Sequence, residues 1–237
     1  MPELPFEYIR QSLYFFRTHL SMVLRIQLPF LILVNLVALF VDGPMRDEEG
    51  INQGVALLTL LNITLMPVYT AATIMYFRYA VNNQPLSAGQ AIMLGLARWR
   101  ALLLVYFLSA FAIFSGLLFL IVPGIFILIR LAFADYICVI EKQGAMRALK
   151  ESWARTEGCF WILLNGLAIL FVTLSGTEMV LEVMLSKAEM LDGPVRAAIN
   201  ITFSVLNTLL TVYGFRIYCV EEEKHRTDPG YSDSQND

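Results

Sequence analysis

Residues 101–129 read ALLLVYFLSAFAIFSGLLFLIVPGIFILI, a run without a single Asp, Glu, Lys or Arg. As one helix it would be about 43 Å long at 1.5 Å per residue. A hydrocarbon core is roughly 30 Å thick and is crossed by about 20 apolar residues. The stretch is therefore too long for one crossing. Val122-Pro123-Gly124-Ile125 interrupts it, and a Pro-Gly pair either kinks a helix or turns the chain. A turn yields one span at 101–122 and a shorter one at 125–140.

Four further blocks, 26–41, 50–77, 158–177 and 197–215, are also free of charge. The first reaches spanning length from residue 20 if Arg25 snorkels toward the headgroups. Charge placement selects the turn, because cytoplasmic loops collect Lys and Arg. With six spans, both termini share one side. That side carries Arg10, Arg17, Arg25, Arg78, Arg98, Arg100, Lys142, Arg147, Lys150, Arg155, Lys224 and Arg226, against Arg46, Lys187 and Arg196 opposite, twelve to three. A kink instead would export the 142–155 cluster and erase most of that bias.

The sequence thus predicts an all-α polytopic membrane bundle with spans near 20–41, 54–77, 101–122, 125–140, 158–181 and 197–219. These form a single integral domain over 1–220, followed by a polar cytoplasmic tail at 221–237. Composition agrees: 57% of residues are hydrophobic and 16% charged, against about 45–50% and a quarter in soluble domains. A net charge of −3 with scattered basic residues excludes a nucleic-acid binder. Arg17 and Arg25 break any leader-like apolar run, so the first span is read as its own insertion signal.

Three stretches have the pattern of amphipathic helices on the cytoplasmic surface. Phe6, Ile9, Leu13, Phe16 and Leu20 oppose Glu7, Arg10, Gln11 and Arg17. The second runs over 86–99 with Ser87 as N-cap, and the third places Met146, Leu149 and Trp153 opposite Arg147, Lys150, Glu151 and Arg155. Arg17, Arg98, Arg100, Arg147, Lys150 and Arg155, flanked by aromatics, are the candidate contacts to anionic lipid headgroups. Each such helix precedes two spans, so the chain divides into three units, read either as an internal repeat or as the ordinary gathering of basic and aromatic residues at an interface.

Ionisable residues inside a membrane default to functional candidates. Arg130 and Asp135 both lie in the 125–140 span, about 140° apart around the helix, so each needs a partner elsewhere. Depth counting offers Glu178 or Glu182 for Arg130, and Arg216 or Arg78 for Asp135. On the last span Asn200, Ser204, Asn207, Thr211 and Gly214 follow one face, and on the second Thr59, Asn62, Thr70 and Thr73 nearly do. Helix packing is the first reading of these faces and a hydrated pathway the second.

Little supports catalysis. His19 and His225 are the only histidines, and no nucleophile, phosphate loop or dinucleotide fingerprint accompanies them. Cys138, Cys159 and Cys219 lack a ligand partner at metal spacing and are read as reduced packing thiols. No metal and no cofactor is expected.

Val122-Pro123-Gly124-Ile125, Glu141-Lys142-Gln143-Gly144, Ala148, Ser152-Trp153, Gly158 and Phe160-Trp161 resemble the YciC-like inner-membrane proteins of Gram-negative bacteria. The likeness extends to Phe15-Phe16-Arg17 and Gly214-Phe215-Arg216-Ile217-Tyr218. The 122–161 core is also similar to the membrane domain attached to some glycerophosphodiester phosphodiesterases, whose catalytic barrel this chain lacks. The resemblance implies a multi-pass protein of the bacterial inner membrane with no catalytic residues to transfer. Two functions follow: a non-enzymatic role in envelope or lipid homeostasis through anionic lipid, or a small-solute transporter or channel using Arg130 and Asp135. A membrane-protein partner or a homo-oligomer fits either.

Overall fold

The computed structural model describes residues 5–42, 48–84 and 86–227. Arg46 and the tail beyond Thr227 lie outside them. Among the described residues eight helices follow in order: α1 (Pro5–Asp42), α2 (Glu48–Val81), α3 (Ala88–Phe119), α4 (Ile121–Arg130), α5 (Ala134–Ile140), α6 (Ala145–Arg155), α7 (Phe160–Lys187) and α8 (Gly193–Thr227). Six segments are long and apolar enough to cross a membrane, the fourth, Ile121–Ile140, being α4 and α5 in series. Helix α2 packs along α3 and α1, α1 along α8, and α8 along α7. Helix α4 lies beside α3 and touches α7 only sparsely.

Two predicted surface helices are not separate elements. Residues 6–20 run on into the first span as α1, and 86–99 run on into the third as α3. Neither junction contains a breaker: residues 20–26 and 97–101 hold no Gly or Pro, so the helical hydrogen-bond ladder continues unbroken. The Ser87 cap forms as predicted, its side chain accepting from the Gln90 backbone N–H in a capping box. On α1 the inward face is Ser12, Phe16, Val23 and Ile26, while Phe6 and Leu13 of the predicted stripe are exposed.

The hairpin between the third and fourth spans forms, with its turn at Leu120 rather than at Val122–Ile125. Pro123 falls in the first turn of α4, where its missing N–H costs nothing because that donor has no helical acceptor. Gly124 faces Gly116 so closely that a Cβ on Gly116 would lie 3.0 Å from the Gly124 Cα. The absence of both side chains lets α3 and α4 touch.

The expected span at 125–140 is broken. Helix α4 ends at Arg130 and α5 starts at Ala134, with turns between. Backbone groups freed in a membrane must find partners inside the protein, and here Ser152 of α6 supplies them. Its Oγ accepts from the Phe133 N–H at 3.0 Å and donates to the Arg130 carbonyl at 2.9 Å. Thr156 Oγ1 stands 3.1 Å from that carbonyl as well. Helix α6 is thus not simply a surface helix: Ala145, Ala148 and Ser152 are buried beside the break, while Met146, Arg147, Lys150 and Trp153 remain exposed. Small residues rather than the predicted Met146–Trp153 face turn inward, because only they allow α6 to reach the α4–α5 backbone.

Helix α5 forms the centre of the core, with Ala134, Tyr136, Ile137, Cys138 and Val139 all buried. Its aromatics pack on α8, Phe133 and Tyr136 lying 5.7 and 5.5 Å from Tyr218 between ring centroids. Tyr136 also donates to the Thr211 carbonyl at 2.9 Å. At the tip of α5, Glu141 receives Arg155 Nη2 at 3.1 Å and the Tyr218 hydroxyl at 2.7 Å. Burial alone would depress the Arg155 pKa. Hydrogen bonds and charge from Glu141 and then Glu151 more than offset it, holding the guanidinium above its ordinary value.

Candidate functional site

The two polar faces found in the sequence meet. Thr70 and Thr73 of α2 face Ser204, Asn207, Thr208 and Thr211 of α8 across a cleft of about 220 Å³, completed by Met66, Tyr69 and Gln27. Gln27 is the residue that face-by-face reading missed. It is 3% exposed, and its Nε2 donates to Thr73 Oγ1 at 3.2 Å and Thr208 Oγ1 at 2.9 Å, while Thr208 returns a bond to Gln27 Oε1 at 3.1 Å. One amide therefore ties α1, α2 and α8 together at the back of the cleft. Its signal was legible as one of two amides, with Asn35, in the charge-free block 26–41. Asn200 is half-buried one turn before Ser204, and Asn62 and Thr59 are exposed, so the cleft takes only part of each stripe.

Asp135 stands at the edge of this region. Its carboxyl lies near the Tyr106 hydroxyl, which in turn lies near Thr70. The predicted cationic partners are engaged elsewhere: Arg216 donates to Gln11 Oε1 at 2.6 Å, and Arg78 makes a bidentate pair with Glu222 at 2.7 and 2.8 Å. Depth counting fails here because it assumes a straight span from 125 to 140, and the break at residues 131–133 redirects α5 toward α2 and α3.

Arg130 is held at that break. Its Nη1 donates to the Trp153 carbonyl at 3.1 Å and lies 3.9 Å from the Glu157 carboxylate, in place of Glu178 or Glu182. The guanidinium sits over the Phe126 and Trp153 rings, 5.2 and 5.5 Å from their centroids, and its Nε is buried without a hydrogen-bond partner. Below it an apolar groove of about 460 Å³ opens along the α4–α7 seam between Val122, Ile125, Phe126, Trp161 and Leu164. A second groove, about 450 Å³, continues past Ile125 and Leu164 to Phe171 and Leu210. The structure does not bring Arg130 and Asp135 into one site, and Glu178 is half-buried on α7 apart from both.

Among the proposed headgroup contacts, Arg17, Arg100, Arg147 and Lys150 are exposed. Arg98 donates to the Lys142 carbonyl at 3.3 Å. Arg155 is committed to Glu141 and Glu151, so it is a structural cation. Cys138 and Cys159 are buried free thiols and Cys219 is half-buried.

Six apolar spans, a helical hairpin closed by glycines and a broken fourth span define an all-α polytopic membrane protein. The residues from 50 to 220 match the model of UPF0259, an uncharacterised protein family, and the chain belongs to that family. It is 27% identical over 150 residues to a UPF0259 membrane protein of Sodalis glossinidius, covering 60% of this chain and 55% of that one. It is 33% identical over 133 residues to UPF0259 membrane proteins of Yersinia pestis and Yersinia pseudotuberculosis, covering 56% of this chain and 50% of theirs. The chain thus spans about half the length of the curated relatives it matches. No solved structure matches it. The YciC-like resemblance accords with this family, and the likeness to the phosphodiesterase-linked membrane domain gains no support from these matches.

Proposed function

We propose that this chain is a non-enzymatic integral protein of the bacterial inner membrane, with both termini cytoplasmic, that gathers anionic lipid and acts in envelope or lipid homeostasis. The observation that carries the reading is the outer face of α6, where Arg147 and Lys150 stand exposed beside Met146 and Trp153, 60% and 41% exposed. Cations set next to an aromatic and a flexible apolar side chain match the chemistry of a headgroup layer over acyl chains. The α4–α7 seam supports it: the grooves are apolar, and Arg130 stands at the end of one of them.

The test is native mass spectrometry of the purified protein titrated with phosphatidylglycerol or phosphatidylcholine. The expected result is preferential retention of phosphatidylglycerol, weakened in the Arg147→Glu, Lys150→Glu double variant. Equal retention of the two lipids overturns the reading. Orientation is checked separately by single cysteines in a cysteine-free background: Glu189→Cys labels from outside and Gln143→Cys does not. The alternative, a transporter built on Arg130 and Asp135, has less support, since the two residues occupy different surroundings.

A further inference from the structure

We infer that the cleft between α1, α2 and α8 is a water-filled, membrane-embedded binding site for a small uncharged polyol. This is independent of the lipid reading and uses neither Arg130 nor the surface of α6. The lining is the first ground. Seven of its nine residues, Gln27, Thr70, Thr73, Ser204, Asn207, Thr208 and Thr211, carry an amide or aliphatic hydroxyl, and none carries a charge. Uncharged groups that both donate and accept suit a ligand of the same kind and reject ions, which would arrive without a counter-charge.

The second ground is what these groups lack. Gln27, Thr73 and Thr208 satisfy one another. Asn207 and Ser204 make no side-chain hydrogen bond among the described residues, and both are half-buried where they line the cleft. An amide in a span that is neither bonded to protein nor hydrated is expensive in hydrocarbon, so the cleft has to hold something that hydrogen-bonds. Its volume of about 220 Å³ accommodates about seven waters at roughly 30 Å³ each, or a small polyol with fewer.

The third ground is rigidity. Gln27 pins the three helices at the back of the cleft, and Tyr136 of α5 braces the α8 wall by donating to the Thr211 carbonyl at 2.9 Å. The open amide of Asn207 therefore faces a preformed wall, which lowers the ordering cost of a bound solute.

The experiment places Ser204→Cys in a background with Cys138→Ala, Cys159→Ala and Cys219→Ala, reconstituted in nanodiscs, and measures modification by aminoethyl methanethiosulfonate. Only a hydrated thiol ionises to react, so Ser204→Cys is expected to react about tenfold or more faster than Phe111→Cys, an exposed position halfway along the third span. Glycerol is expected to slow that modification. Thr70→Cys on the opposite wall repeats the measurement should the Ser204 variant not purify as a folded species. If both wall cysteines react no faster than the Phe111 control, the cleft is dry and the proposal fails. Fast modification that glycerol leaves unchanged overturns the assignment of the polyol.

Discussion

Ser152→Ala is the perturbation that most directly tests how the broken span is held. In the native protein one hydroxyl accepts from the Phe133 N–H at 3.0 Å and donates to the Arg130 carbonyl at 2.9 Å. Alanine fits the same space and removes both. The carbonyl keeps a substitute, because Thr156 Oγ1 is 3.1 Å away. The N–H does not, and Ser152 and Phe133 are both 0% exposed, so water does not reach the group. An orphaned buried donor costs about 1–3 kcal/mol, and the lost bond to the carbonyl adds about 0.5–1 kcal/mol. The expected loss is therefore about 1.5–4 kcal/mol, well above the roughly 0.6 kcal/mol average for hydrogen bonds between membrane helices. Thr156→Val should cost less, about 1 kcal/mol, because Ser152 still serves both backbone groups. The double variant should lose more than the sum, since it strands the Arg130 carbonyl too. Reversible unfolding in mixed micelles, titrated with dodecyl sulfate and followed by circular dichroism, reads these differences. A Ser152→Ala protein as stable as the native one, or a Thr156→Val protein that loses just as much, would refute the role given to Ser152 at the break.

Gly95→Ala should destabilise by about 1–3 kcal/mol, because the new Cβ would lie 2.6 Å from the Ala72 nitrogen and 2.8 Å from the Val68 oxygen, backbone atoms that cannot swing aside. The same unfolding titration checks it, and an unchanged midpoint refutes the α2–α3 contact. Glu141→Gln removes the charge that holds Arg155 and Tyr218 and should cost about 1–3 kcal/mol, a value that should shrink when Arg155→Met is made in the same chain. Cys159 is 2% exposed, and a thiol packed in apolar surroundings is inert as long as the fold holds. The thiolate is the reactive form, so at pH 8 iodoacetamide should leave Cys159 intact in the folded protein and alkylate it only after denaturation, as peptide mass spectrometry would show.

What the sequence made legible was whatever depends on local composition. The spans and the hairpin follow from charge-free length and from one Pro-Gly pair, and the turn moved only to Leu120 because proline is at home in a first helical turn. The break after Arg130 was not legible, since Leu131-Ala132-Phe133 contains no breaker. It is held by a serine some twenty positions later, a contact that no local pattern announces. That one distant contact also undid the pairings proposed for Arg130 and Asp135, which took the span to be straight. The polar stripes on α2 and α8 were visible as stripes. That they meet across a cleft, with Gln27 of α1 joining them, depends on which helices neighbour one another, and periodicity does not encode that.

The short α4 also bears on how the chain enters the bilayer during synthesis. Ten residues rise about 15 Å, half a hydrocarbon thickness, so this segment leaving the ribosome alone has no stable transmembrane state of its own. It partitions as a pair with α3, which has emerged before it, their backbones in contact at Gly116 and Gly124. The remainder of the fourth span then stays unfinished until the serine of α6 has been translated. Biogenesis of the middle of this protein is therefore set by the last of these segments to emerge rather than by the first.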